Sequence, residues 1–516
     1  MENKKNFIFF IIVFTLIFNC IPELLQLNFL AGIWALKLTT YPFLFAIGFT
    51  LFHRRDFSLS PVERKTLIKF FTAYFAVMLF SLVWGLIDYP YYNVILQGPA
   101  NQIEKFSKVY SFLLNHGFSV TKQGLLSAWM LARPIKGLFI NTLGAFGLSI
   151  LVYVWYKNDF QNGFCIFLKG LFASVIVVVL YGFFDAMYLS GNEVATNILV
   201  SLNPIVHEIK VDGTWWPPIL WIGQLRSCFA EPSFYGIFGA FALPWVWYIL
   251  ETSQNRRNRL FTWGTMFFFI LFLFLTRART SNVLLLGEVA LLLLFTIAGL
   301  LKSKRTLLSV ILCVALAFGT SLAFFNYGIN QESQKVTAFS YMEDNIGSLA
   351  SVDRRSNRSR YSIMIADLRI GLDHPLFGVG SSLRNAYIPD YLPDKEHLSG
   401  ETKDWIKNQK EKGILRAGFP ELGEYTSRFA ETGILGLVLF MIPPLFLLFK
   451  MTQVLRIHTR DMIEEHKIVV FFIISFLGVL ASGIGGVLNF FYSYWLLLGL
   501  GFVLLHHVTT RENSDK

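Results

Sequence analysis

The stretch RRSNRSRYSIMIADLRIGLDHPLFGVG, from Arg354 to Gly380, is the centre of the one long polar segment in an otherwise apolar chain. That segment runs from Asn326 to Arg428. Loops of this length are usually either functional or disordered. We therefore interpret the rest of the chain from this stretch, which holds five arginines: Arg354, Arg355, Arg358, Arg360 and Arg369.

Two halves of the polar segment have different patterns. Residues 356–371 have apolar side chains at helical spacing, with Ser359 as the expected N-cap and Gly371 followed by Pro375 as the end signals. Residues 390–412 are highly charged, which is typical of a solvated surface. The first half is therefore the half in which we look for a site.

The composition outside this segment requires a lipid environment. Of 516 residues, 54% are hydrophobic and only 15% charged, and 53 are phenylalanine. Soluble domains have about 25% charged residues. The net charge of +11 does not indicate nucleic-acid binding, because most basic residues lie in short connections between apolar runs. The four cysteines are scattered without metal-ligand or disulfide spacing, so we expect neither a metal nor a cofactor.

The apolar runs predict an all-α polytopic membrane protein. A spanning helix needs about 20 apolar residues, and about 12 runs qualify. We expect one large extracytoplasmic loop that contains short helices. The candidate spans are 6–22, 30–52, 67–87, 134–156, 164–188, 232–250, 261–276, 281–301, 306–325, 429–450, 468–487 and 489–507.

The basic residues predict the orientation. Clusters such as Arg54–Arg55 and Arg256–Arg257 all fall on one side if both termini are cytoplasmic, as the positive-inside rule requires. The first apolar run lacks a small-x-small cleavage site, so we interpret it as a retained helix.

The resulting division has three parts. Residues 1–325 hold nine helices, residues 326–428 form the large outer loop, and residues 429–510 hold the last three helices. Within the first part, segments 88–133 and 189–231 face outward. The former contains an amphipathic stretch suited to the interface, and the latter contains WWPPILWI, an aromatic belt.

A second cluster of charges lies at the outer helix ends. LRSCFAEPSFYG places Arg226 and Glu231 at the entry to the sixth helix, and LTRARTSN places Arg277 and Arg279 in the tight turn between the seventh and eighth. Ionisable residues at such positions are functional-site hypotheses by default. The alternative for Arg277 and Arg279 is that they extend to lipid phosphates.

These residue types suit the chemistry of a pyrophosphate group. Arginine binds phosphate oxygens through two parallel hydrogen bonds and stays charged. Fixed cations can stabilise a pyrophosphate leaving group without a metal. Glu231 is then the candidate base that accepts a proton from an attacking hydroxyl. Pro232 after it suits a first helical turn, and the alternative for Glu231 is an ion pair with Arg226.

Four motifs resemble the bacterial O-antigen polymerase and O-antigen ligase superfamily, in its capsule or exopolysaccharide polymerase branch. They cover roughly residues 220–440. In order they are R-x4-EPS from Arg226, T-x-x-R-T from Thr276, R-x10-G from Arg360 followed by HPLFGVG, and FAETGILGL from Phe429.

The resemblance implies a metal-independent glycosyltransferase in the bacterial cytoplasmic membrane. Its substrate would be an oligosaccharide on undecaprenyl pyrophosphate, polymerised at the outer face into a surface polysaccharide. A chain-length regulator or a flippase would be partners, and nucleic acid would not. The implied catalytic residues are Arg279, Arg360 and Arg226, to which we add Glu231, with Arg277, Arg369 and His374 assigned to the pyrophosphate.

One departure from the superfamily bears on the reaction. Ligases of this superfamily have a His-Asn pair shortly before AETG, whereas the chain has FPELGEYTSRFAETG without histidine. This difference favours polymerisation over ligation. Glu421 and Glu424 occupy the region of that histidine and are secondary candidates, and His374 has a structural turn as its alternative.

Two other functions remain open from the residues alone. A lipid-linked oligosaccharide flippase or another transporter would also need about 12 helices and a cationic cavity. A sensor or scaffold would use the charged 390–412 stretch for a partner. Placement of the unusual charges at outer helix ends favours surface chemistry over transport.

Overall fold

The computed structural model describes residues 2–208, 223–301, 303–329, 336–345, 347, 355–393, 397–456 and 463–514. Every regular element among them is a helix, which confirms the predicted all-α class. In chain order the helices are α1 (Glu2–Phe14), α2 (Asn28–Ala31), α3 (Thr40–Phe52), α4 (Pro61–Ile87), α5 (Tyr92–Gln97), α6 (Glu104–Asn115), α7 (Lys122–Tyr156), α8 (Phe160–Leu189), α9 (Glu193–Val206), α10 (Pro232–Thr252), α11 (Arg256–Leu275), α12 (Arg279–Ile297), α13 (Lys304–Ala323), α14 (Ala338–Asn345), α15 (Arg355–Asp373), α16 (Arg384–Tyr391), α17 (Gly400–Lys412), α18 (Glu424–Arg456), α19 (Ile463–Ser482) and α20 (Tyr492–Ser514).

Ten of these helices in the described parts of the chain are long and apolar enough to span a membrane. The first two predicted spans, 6–22 and 30–52, fold as the shorter helices α1 and α3. The first ends in a 3-10 turn at Thr15–Ile17, and Gly32, with φ of 55°, interrupts the second. Helix α9 is a short apolar helix in the predicted second outer segment, and WWPPILWI lies outside the described residues.

Helix α7 begins 12 residues earlier than the sequence predicted. Thr121 caps it, since its hydroxyl accepts a hydrogen bond from the amide of Gly124 at 3.1 Å. The helix then continues through Pro134, which the sequence pattern predicts as the start of the span. Residues 122–133 of the first outer segment are therefore helical, and Leu126 and Met130 among them pack into the second hydrophobic core described below.

The bundle is built around α10. Its spanning window is 83% buried, whereas that of α13 is 22% buried. Helices α11, α12 and α19 pack against α10, and α7 packs against α20. Inside the bundle, the hydroxyl of Tyr235 in α10 donates a hydrogen bond to the backbone carbonyl of Phe269 in α11 at 3.0 Å.

The outer segments form a second hydrophobic core. It combines the outer ends of α4 and α7 with α5, α6 and the loop helices α15 to α17. Tyr91 donates to the carboxylate of Asp390 at 2.6 Å, and the amide of Leu415 donates to Gln102 at 3.3 Å. The first outer segment and the large loop therefore form one cap over the bundle.

Two details of the large loop differ from prediction. Ser359 lies inside α15 rather than at its N-cap, and its hydroxyl pairs with that of Ser399 at 2.6 Å. The charged half is also more than solvated surface, because α17 is capped by Ser399 and buries Gln409 against the carbonyl of Asn385 at 2.7 Å. Sequence spacing does not reveal such contacts between separate helices.

Candidate functional site

The N-terminal ends of α10 and α12 cross at the end of the bundle that the cap covers. Gly236 lies against Ser281 so closely that a side chain at Gly236 would overlap it. Glu231 is the N-cap of α10 with Pro232 in the first turn, as predicted, and Arg279 is the first residue of α12. Because helix N-termini carry partial positive charge, the crossing favours a bound anion.

The turn before α12 has a fixed, strained geometry. The hydroxyl of Thr276 donates to the carbonyl of Leu273 at 2.7 Å and accepts from the amide of Ala278 at 3.1 Å. Arg277 has a left-handed φ of 51°, which is unfavourable for a side chain. Its guanidinium lies 5.3 Å from the ring centre of Phe325. The turn thus sends Arg277 and Arg279 in different directions.

Arg279 joins the bundle to the loop helix α15. Its Nη1 donates to the side-chain oxygen of Asn357. One helical turn further along α15, Arg360 donates from Nη1 to the carbonyl of Gly485 at 3.0 Å, in the turn between α19 and α20. The structure therefore brings the two arginines with the strongest motif support to neighbouring positions between the bundle and its cap.

Arg226 lies deeper than predicted. It is 1% exposed, and its Nη1 donates to the carbonyl of Ala230 at 3.3 Å. Its charged neighbour is Asp185 of α8, whose carboxylate accepts the backbone amides of Arg226 and Ser227 at 3.1 and 2.7 Å. Burial lowers the pKa of the Arg226 guanidinium. This placement does not fit direct phosphate contact, and it fits a residue that supports the segment before Glu231.

Asp185 is a residue that sequence reasoning missed. It lies within an apolar span and is 1% exposed. The free-energy cost of burying its carboxylate must therefore be offset by hydrogen-bond donors held in place by the fold. An aspartate inside the fifth predicted span was visible in the sequence as an ionisable residue in lipid. What the sequence did not show was its partner, which lies about 40 residues away in the chain.

Glu231 is half-buried and free of the ion pair considered above. Its Oε2 accepts a hydrogen bond from the hydroxyl of Ser233 at 3.2 Å. The charge acting on Arg226 comes from Asp185 instead. Glu231 therefore keeps a carboxylate oriented at the outer end of α10.

The remaining two predicted phosphate ligands lie at the other end of α15. Arg369 is exposed, and its Nη1 donates to the carbonyl of Tyr391 at 3.4 Å. The ring of His374 packs edge-on against Tyr387 with centroids 5.9 Å apart. The structure does not bring either of them to Arg279, and His374 has the turn position that was its alternative.

The two C-terminal motifs form one structural unit. Helix α18 is broken at Gly433, where φ is 61° and ψ is −166°. The amides of Ile434 and Leu435 donate to the carbonyls of Pro375 and Leu376, at 2.8 and 3.4 Å.

The same break frees two carbonyls of α18. In return, the carbonyls of Ala430 and Glu431 accept the amides of Val379 and Gly380, at 3.0 and 2.9 Å. The hydroxyl of Ser81 in α4 also donates to the Glu431 carbonyl at 2.9 Å. Segment 375–380 thus replaces helical hydrogen bonds that the break removes, as a backbone near lipid requires.

A buried ion pair holds α15 against this unit. Arg384 donates from Nη2 to Asp367 Oδ2 at 2.8 Å and from Nε to Oδ1, and both side chains are at most 2% exposed. Ser427 of α18 also donates to Asp367, at 3.1 Å. Burial raises the pKa of the Asp367 carboxyl, and the charge of Arg384 opposes that rise.

Glu421 and Glu424 have separate surroundings. Glu424 is buried, accepts Nε of Arg428, and accepts the amide of Asn489 at 2.9 Å, so it fixes the turn before α20. Glu421 is exposed beside it. This geometry favours a structural role for Glu424.

The fold and this arrangement define a multi-pass membrane protein with two arginines and two helix N-termini gathered at one end. Residues 264–408 match the family model described as O-Antigen ligase (Wzy_C). The predicted resemblance to the O-antigen polymerase and ligase superfamily is confirmed over this range, which holds α12, α15 and the residues Arg279 and Arg360. A search of curated proteins found no match to the chain.

Proposed function

We propose that the protein is a membrane glycosyltransferase that polymerises undecaprenyl-pyrophosphate-linked repeat units into a surface polysaccharide, an O-antigen, capsule or exopolysaccharide. One observation supports the proposal above all. Arg279 donates a hydrogen bond to Asn357, which lies one turn before Arg360 on α15, and this link lies beside the N-termini of α10 and α12. Its location would be the bacterial cytoplasmic membrane, with the reaction at the outer face and both termini cytoplasmic.

The reaction forms one glycosidic bond and breaks one sugar–pyrophosphate bond. A hydroxyl of the incoming lipid-linked unit attacks the anomeric carbon of the growing chain. Glu231 accepts the hydroxyl proton, and the bond electrons leave with undecaprenyl pyrophosphate. Arg279 and Arg360 stabilise the negative charge that develops on that leaving group.

The two cations take the role that a metal has in many phosphate-transferring sites. Their guanidinium groups stay charged at any working pH, and a partly buried setting strengthens their action on the pyrophosphate. We therefore propose metal-independent transfer. We also propose that Arg277, at the same turn, contacts the lipid-linked pyrophosphate as it enters, and Arg369 and His374 remain peripheral candidates.

Ligation is the second candidate, because the matching family is described as O-Antigen ligase. The region before AETG has no histidine, and Glu424 in that region is committed to Arg428 and Asn489. Both features favour polymerisation. A flippase remains the alternative from a different class of function.

A reconstitution experiment separates these functions. Purified protein in liposomes is given lipid-linked repeat units, with or without a second glycan acceptor. Polymerisation predicts products with several units that still carry lipid pyrophosphate. Transfer only to the second acceptor would establish ligation, and movement across the bilayer without new glycosidic bonds would establish transport.

A further inference from the structure

A groove of about 730 Å³ opens at the membrane face opposite the candidate site. It lies between the starts of α8 and α19 and the ends of α10 and α20. Both described chain ends are on this face, since Glu2 accepts a hydrogen bond from Asn162 of α8 at 2.8 Å and α20 ends beside it. The proposed reaction makes no use of this groove.

Lys169 is the unusual residue of the groove wall. It lies nine residues beyond Phe160, the first residue of α8, so it is about 13 Å along the helix and inside an apolar candidate span. It is exposed in the groove and forms no ion pair with any residue that the structure describes. A lysine at that depth calls for an anionic partner.

The walls beside Lys169 are apolar. Phe164, Leu168 and Phe172 of α8 line the groove along the direction of the helix, opposite Ile249 of α10. Such a surface suits hydrocarbon chains. A ligand that fills the groove must therefore combine an apolar body with a negative group near Lys169.

The mouth of the groove carries both signs of charge. Arg511 pairs with Glu465, which is buried, and His507 lies 3.8 Å from the same carboxylate. Glu464 pairs with Lys467 at 3.1 Å and accepts the hydroxyl of Tyr248 at 3.3 Å, yet is half-exposed. A carboxylate can accept about four hydrogen bonds, so Glu464 has acceptor capacity left for a cationic group.

We propose that this groove binds a zwitterionic aminophospholipid, phosphatidylethanolamine, from the leaflet on the side of both termini. Its phosphate contacts Lys169, its ammonium group contacts Glu464 at the mouth, and its acyl chains extend past Phe172, which lies deeper in the groove than Lys169. Glu464, which keeps acceptor capacity at the mouth, favours a lipid that brings its own cation over one that has only a negative headgroup. The proposal is independent of the glycosyltransferase function.

The chain contains a reporter for this site. Cys165 lines the groove and is exposed, whereas Cys228 and Cys313 are buried. A bound lipid would cover the Cys165 thiol. The rate of its alkylation by N-ethylmaleimide, resolved from Cys20 by peptide mass spectrometry, therefore measures occupancy.

The experiment uses full-length protein in detergent with added phosphatidylethanolamine, phosphatidylglycerol or diacylglycerol. We expect phosphatidylethanolamine to protect Cys165, and Lys169→Met to raise the concentration needed for protection about tenfold, the effect of losing one charge-assisted hydrogen bond. Lys450→Met is the matched control, because Lys450 binds Gln453 at 3.2 Å elsewhere on this face.

Three results would overturn the proposal. Equal protection by diacylglycerol would show that the groove holds only hydrocarbon. Equal protection by phosphatidylglycerol would remove the role of Glu464. Unchanged protection in Lys169→Met would remove the phosphate contact.

Discussion

Arg279 and Arg360 are 81 positions apart in the chain, and Asn357 is the residue through which they become neighbours. The side-chain oxygen of Asn357 accepts a hydrogen bond from Arg279. Arg360 follows Asn357 one turn later on the same helix, α15. At this scale the site is an arrangement of fixed cations. Its charge is set before any substrate arrives, which is the condition for stabilising a leaving group without reorganisation.

Replacement of either arginine by lysine tests that arrangement. Lysine keeps the charge but loses the two-pronged contact, so we expect Arg279→Lys and Arg360→Lys each to lower chain extension about 100-fold. The measurement is product yield from equal amounts of purified protein. Arg416→Ala, an exposed change in the same loop, is the control. Extension at the normal rate in both lysine variants would contradict the assigned roles.

His207 gives a pH-dependent prediction. It is 2% exposed after α9, and burial together with the charge of Arg226 lowers the pKa of its imidazole well below the usual range. In the unfolded chain His207 binds a proton near pH 6.5, whereas in the folded chain it stays neutral to lower pH. The free energy of unfolding therefore decreases progressively as the pH falls below about 6.5.

Thermal unfolding in detergent between pH 8 and pH 5 measures this effect. We expect the apparent melting temperature of His207→Gln to fall less over that interval than that of the unaltered protein. His116→Gln, at the exposed position that follows α6, should leave the fall unchanged. The same pH dependence in His207→Gln as in the unaltered protein would contradict the prediction.

The sequence predicted where the candidate residues lie in the helices better than it predicted what they touch. Arg279 and Glu231 stand at the helix starts where their motifs placed them, because proline and the turn residues act locally. The depth of Arg226 and the partnership with Asp185 depend on how α8 packs against the segment before α10. No local pattern encodes that packing.

At the scale of elements, the notable feature is the broken helix α18. Gly433 in the FAETGILGL motif and Gly378 in HPLFGVG both have positive φ, and each lies against the backbone of the other segment. The two motifs therefore require each other. Gly371 belongs to the same design, because a side chain there would overlap Phe429 and push α15 away from α18.

Gly433→Ala tests the break directly. The substitution puts a side chain at a positive φ and against the backbone of Leu376, which cannot move aside. We expect a loss of about 2 kcal/mol or more in stability and a loss of chain extension. Thermal unfolding and product yield are the measurements.

Gly319→Ala is the matched control for that experiment. Gly319 lies in α13 with open space around it, so alanine there should be neutral or slightly stabilising. A Gly433→Ala protein as stable and active as the control would contradict the role of the break.

Elements were predictable where a long apolar run determines them. Most spans appeared within a few residues of their predicted positions, whereas α7 continued through Pro134 and two early spans were short. The sequence alone does not show whether a proline or a glycine within an apolar run interrupts the helix. Tertiary contacts decide between them, as Ser81 and segment 375–380 do for α18.

At the scale of the whole molecule, the two opposite ends of the helix bundle carry different structural features. One holds the crossing of α10 and α12 under the cap of outer segments, and the other holds the groove with Lys169. The positive-inside rule assigns the cap to the outside of the cell. The proposed function requires that assignment, because lipid-linked repeat units are extended there.

Cysteine labelling tests the orientation. Lys407 on α17 and Arg257 at the start of α11 are both exposed, on opposite faces. We expect a membrane-impermeant maleimide to label Lys407→Cys in intact cells and Arg257→Cys only after the membrane is opened. The reverse pattern would place the arginines on the wrong side for the proposed reaction.

Metal-independent polymerisation is best tested by a time course with purified protein, a lipid-linked repeat unit and a metal chelator. We expect a ladder of products that differ by one repeat unit, each still on lipid pyrophosphate, with one undecaprenyl pyrophosphate released per bond. Repeat units that stay unjoined while the protein remains folded, or joining that stops when the chelator is added, would contradict it.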